Sequence, residues 1–84
     1  MKREDIDRYA DDNGIALLIA DGFDDAIIGV CIRKGSEECV AYDYDKCVEI
    51  LQVRDKMTLE EAEEYMEYNV IDAYVGKHTP CFII

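Results

Sequence analysis

Between residues 57 and 74 the chain carries five Glu, one Asp and no Lys or Arg. Four of these acids, Glu60, Glu63, Glu64 and Glu67, fall mostly on one side of a helix at their spacing. Like charges four residues apart, Glu60 with Glu64 and Glu63 with Glu67, each cost roughly 0.2–0.5 kcal/mol, so local helix stability does not select the arrangement. Two readings compete. One is a solvated face, because Glu is a good helix former. The other is a surrogate for a phosphate backbone, in which these carboxylates, with Tyr65, Tyr68 and Asn69, occupy the cationic groove of a nucleic-acid-binding protein. Glu60, Glu63, Glu64, Glu67 and Tyr68 are the partner-binding residues of that second reading.

The remaining reactive side chains carry weaker signals. Asp21, Asp24 and Asp25 flank Gly22 and offer oxygen ligands of the kind Mg²⁺ or Ca²⁺ takes. They lack the alternating spacing of a calcium loop, and Asp is favoured in turns for its own backbone hydrogen bonds. His78 is the single histidine and has no carboxylate partner visible in the sequence, so it serves as a proton shuttle only if the fold supplies one. Cys31, Cys39, Cys47 and Cys81, with gaps of 8, 8 and 34, form no Cys-x-x-Cys pair and match no common zinc module. They read as free thiols packed as small hydrophobes. No phosphate loop, Gly-x-Gly-x-x-Gly, nucleophile elbow or His-Glu-x-x-His occurs. The expectation is therefore a chain that is not an enzyme and has no cofactor.

These residues need elements to hold them. Ile6, Tyr9 and Ala10 at helical spacing, followed by Asn13-Gly14, predict a short first helix over 2–12. The apolar run Ile15 to Ala20 predicts a strand, closed by the turn residues 21–25. Residues 26–33 predict a second strand, with Ala26, Ile28, Val30 and Ile32 on one face and Ile27, Gly29, Cys31 and Arg33 on the other. A turn at Lys34-Gly35-Ser36-Glu37 returns the chain through 38–42, setting Cys39 near Cys31. From Asp43 the period changes: Tyr44, Cys47, Val48 and Leu51, widened by Ile50 and Val53, predict a helix capped by Asp43. Thr58-Leu59-Glu60-Glu61 is a capping box for a further helix ending near Asp72 or Tyr74, with Leu59, Ala62, Met66, Val70 and Ala73 inward. A loop over 75–80 precedes a last apolar strand, Cys81 to Ile84. That strand fills the core if central and is a pairing edge for a homodimer if it lies outside.

The segments Phe23-Asp24-Asp25-Ala26-Ile27-Ile28-Gly29, Tyr42-Asp43-Tyr44-Asp45-Lys46, Met57-Thr58-Leu59-Glu60-Glu61-Ala62 and Val75-Gly76-Lys77-His78-Thr79-Pro80 are specific as a set. In order and spacing they resemble small acidic proteins encoded by bacteriophage genomes, over roughly residues 21–84. The resemblance implies a phage source and brings no assigned activity with it. In that family the turn before the acidic helix more often holds Gly where this chain has Lys56. A left-handed residue there costs about 1 kcal/mol without glycine. The departure bears on stability.

With 84 residues, half of them hydrophobic, the chain makes one folded domain over residues 1–84 and leaves no room for a second lobe. The fold class expected is α+β: an antiparallel sheet of three to four strands packed against two main helices, plus a short N-terminal helix. Twenty Asp and Glu against nine Lys and Arg give a formal charge of −11. Such a field repels nucleic acid and anionic membrane and attracts basic protein surfaces. No apolar run approaches the ~20 residues of a membrane span, and the expected location is the cytoplasm, that of the host if the source is a phage. The function expected is a non-enzymatic modulator that binds a basic surface on a nucleic-acid-handling or defence factor. The alternative is a small-molecule or metal-binding protein without charge mimicry.

Overall fold

The computed structural model describes residues 1–32, 35, 37–73 and 76–84. The hairpin turn expected at 34–37, the far end of the strand at Arg33, the helix end at Tyr74 and the start of the loop expected over 75–80 therefore lie partly or wholly outside the described residues. Helix α1 runs Arg3–Asn13 and stops at Gly14, whose φ of 64° is the left-handed conformation the Asn13-Gly14 signal requires. Strands β1 (Ile27–Cys31) and β2 (Cys39–Asp43) pair antiparallel, and Cys31 does sit opposite Cys39. Helices α2 (Tyr44–Arg54) and α3 (Leu59–Tyr65) follow, then a π-helical stretch, Met66–Ile71, and strand β3 (Cys81–Ile83).

The fold is α+β, with a three-stranded sheet in the order β1-β2-β3. The expected antiparallel sheet is corrected in one respect, because β3 runs parallel to β2. Parallel neighbours need a long crossover, and here α2 and α3 supply it between Asp43 and Cys81. The apolar run 15–20 is not a strand. Its Leu17, Ile19 and Ala20 pack against the core, and the Ala20 amide donates to the Tyr42 hydroxyl at 2.9 Å in place of a ladder partner. Side-chain packing, not pairing, uses that hydrophobicity.

The alternation expected along β1 is also broken. Ile27 pairs with Tyr42 and Gly29 with Ala41, so Ile28 is an extra residue in a bulge. The bulge turns both Ile27 and Val30 toward the core, with Val40, Tyr42 and Phe82, and leaves Ile28 exposed. Gly29, Cys31, Cys39, Ala41 and Cys81 then share the other face of the sheet.

The helices close the first face. Cys47, Val48 and Leu51 of α2 are buried as their spacing predicts, but Val53 is 74% exposed and does not widen the stripe. The Asp43 carboxylate caps α2 by accepting from the Lys46 amide at 3.1 Å. At the other end Lys56 has φ 56°, the left-handed residue anticipated at that turn. Thr58 and Glu61 make the reciprocal capping box, at 2.9 Å and 3.2 Å. Ala62 and Met66 are buried and Val70 is half-buried, whereas Leu59 and Ala73, both expected inward, are exposed. Residues four apart drift about 40° per step around an α-helix. The π-helical turn has a longer repeat, which keeps Val70 in line with Ala62 and Met66. Among the described residues no helix is long and apolar enough to cross a membrane.

Candidate functional site

The capping box fixes where the acidic helix begins, and the burial of Ala62 and Met66 fixes which side faces out. Glu60, Glu63, Glu64 and Glu67 are all exposed, and no described cation forms an ion pair with any of them. Glu61 differs, because its carboxylate accepts from the Thr58 amide. Apolar and aromatic groups are interleaved with the charge: Tyr68 is 68% exposed, Leu59 is 54% exposed, and Tyr65 and Ile71 are exposed beside them. Leu59, expected inward, is instead exposed at the first position of α3, next to the Thr58 cap.

The field of this face reaches α2. Burial first, then the charges of Glu63, Glu67 and Asp45, hold the Tyr44 hydroxyl above the ordinary phenol range. Tyr44 is thus a neighbour of the acidic face contributed by the start of another helix.

The Asp21–Asp25 turn is built differently from a cation loop. Asp24 and Asp25 start a short 3₁₀ turn, Asp24–Ala26, and Asp24 pairs with Arg3 at 3.5 Å. The Arg54 guanidinium donates to the Gly22 carbonyl at 2.7 Å and lies over the Phe23 ring. An added Cβ on Gly22, whose φ is 90°, would come within 2.8 Å of Arg54 Nη1. Cationic side chains of this protein therefore already occupy the turn. The three aspartates are not among the described groups whose ligand atoms converge within 4.8 Å.

The groups that do converge are thiols. The Sγ atoms of Cys31, Cys39 and Cys81 all lie within 4.8 Å of one another. Cys31 is at the exposed end of β1, while Cys39 and Cys81 are half-buried. Burial, and then hydrogen bonding with Cys39 and Cys31, pushes the Cys81 thiol up to about 12. Cys47 stands apart in the core, where burial likewise pushes it up to about 12. The expectation that all four thiols are packing groups holds best for Cys47. The hairpin pattern was sufficient to bring Cys31 to Cys39, but Cys81 arrives only through the parallel crossover, for which no local signal exists.

His78 does acquire a carboxylate. Its Nδ1 lies 2.7 Å from the Glu38 carbonyl oxygen, an acceptor, so Nδ1 carries the proton. Its Nε2 is 3.7 Å from the Glu37 carboxylate. Neither contact is a nucleophile, and the pair ties the loop before β3 to the start of β2. A cleft of about 460 Å³ beside the Asp21–Asp25 turn, lined by Gly22, Asp24, Asp25, Lys46, Glu49 and Arg54, falls within the roughly 300–1,000 Å³ usual for ligand sites, while one of about 220 Å³ between the 15–20 segment, the π-helical stretch and Phe82 is smaller.

No family model, curated protein or solved structure matches this chain.

Proposed function

We propose that the chain is a non-enzymatic binding protein whose acidic face, Glu60, Glu63, Glu64 and Glu67 with Tyr68, occupies a basic surface on a nucleic-acid-handling or defence protein. The observation that carries this reading is four exposed carboxylates with no described cation to neutralise them, interleaved with exposed Tyr65, Tyr68, Leu59 and Ile71. Free carboxylates supply attraction to a cationic groove, and the tyrosines supply contact area at low entropic cost. A face that merely kept the chain soluble would have no use for the apolar groups. In this reading the source is a bacteriophage, the partner belongs to its host and the meeting place is the host cytoplasm.

The test compares three forms of the chain as bait in nuclease-treated bacterial lysate at low and high salt. Reversing Glu60, Glu63, Glu64 and Glu67 to Lys adds two charges per site, taking the formal charge from −11 to −3. Reversing Glu4, Asp7, Asp11 and Asp12 on α1 reaches the same −3. The reading expects a stoichiometric basic partner held by the native chain and the α1 variant, released by salt, and lost by the α3 variant. Capture that survives reversal on α3 overturns it.

A further inference from the structure

Three thiols from three strands meet on the sheet face turned away from the core. Cys31 and Cys39 are a directly opposed pair in the β1-β2 register. Cys81 pairs in the register with Ala41, two residues along β2 from Cys39 and on the same face. A thiophilic ion bound about 2.3 Å from each of three sulfurs in a plane needs sulfur separations of roughly 4 Å. The three Sγ atoms already lie within 4.8 Å of one another, so small side-chain rotations close the site with the sheet unmoved. Small residues flank the cluster, with Gly29 next along β1 and Ala41 next along β2. The thioether of Met1 lies 3.6 Å from the position a Cβ on Gly29 would take.

We propose that Cys31, Cys39 and Cys81 form a three-coordinate site for a soft monovalent cation, with Cu(I) as the ion that their number and chemistry fit. Thiolate sulfur selects soft ions, and among the described residues no fourth Cys, His or carboxylate atom completes the tetrahedron that structural zinc takes. On binding, three S–H bonds break and three S–Cu bonds form. The three protons pass to solvent, and no electron changes hands. The site is independent of the acidic face and stands or falls separately from it.

The experiment titrates the reduced full-length chain under anaerobic conditions with Cu(I) held by bicinchoninate as a competing chromophoric chelator. The expected result is one Cu(I) withdrawn per chain, near-ultraviolet sulfur-to-copper charge transfer, and loss of the three sheet thiols from an alkylation assay. C47A, altered in the core at a thiol outside the cluster, keeps that stoichiometry. C31S, at the exposed end of β1, weakens retention by at least about tenfold. Failure to withdraw Cu(I) from the chelator overturns the proposal. So does equal retention by C31S, a variant whose exposed position preserves the fold and whose circular dichroism verifies it.

Discussion

Single residues decide how the acidic helix is started and how the one before it is stopped. Lys56 holds a left-handed φ of 56° with a Cβ that disfavours it. Lys56→Gly should therefore raise stability by about 0.5–1 kcal/mol, after the extra freedom glycine gains in the unfolded chain is subtracted. The check is the urea midpoint at unchanged slope, and a midpoint that falls would contradict the strain. Thr58 makes the opposite case. Its hydroxyl satisfies the Glu61 amide at 3.2 Å. Thr58→Ala should cost about 1 kcal/mol while Thr58→Ser costs little, read by the same denaturation curve. The Thr58 cap was legible in residue type and spacing, a local device, whereas the left-handed position of Lys56 was implied only by the resemblance, because lysine itself carries no such signal.

Elements were legible where their signal was local and obscure where a distant partner decided. The helix α2 followed from its 3–4 spacing, and the β1-β2 hairpin followed from two apolar runs around a glycine turn. The bulge at Ile28 was invisible, because one inserted residue leaves composition unchanged and alters only the facing of Ile27 and Val30. The run 15–20 looked like a strand for its apolar content, yet its anchor is Tyr42, 22 residues past Ala20. Tyr42→Phe removes the acceptor for the Ala20 amide and should cost about 1–2 kcal/mol, with faster hydrogen exchange confined to the residues around Ala20. Unchanged exchange there would mean that packing alone holds the segment. Of the candidate site, the acidic face could be read from residue types. The thiol cluster could not, because β3 reaches β2 through a crossover of two helices.

At the scale of the whole molecule, charge and buried thiols set the response to pH. Burial, then Asp43, pushes the Cys47 thiol up to about 12, against an ordinary value of 9.0. The folded chain therefore keeps a proton that the unfolded chain releases above the ordinary thiol range. Stability from this group is complete below about pH 9 and declines as pH rises toward 12. Urea midpoints taken at rising alkaline pH should fall, and less steeply in Cys47→Ala. An equal slope in the variant would assign the loss to other groups.

The formal charge of −11 gives the molecule long-range attraction for cationic surfaces and repulsion from nucleic acid. In the proposed function, α3 and the π-helical stretch concentrate this field into a surface that competes with phosphate. The most direct measurement is fluorescence anisotropy of labelled duplex DNA bound to the captured partner, as the chain is added at low salt. The native chain and the α1 reversal should displace the DNA, the α3 reversal should not, and salt should weaken displacement. DNA that stays bound throughout, or that the α3 reversal displaces equally well, would contradict it.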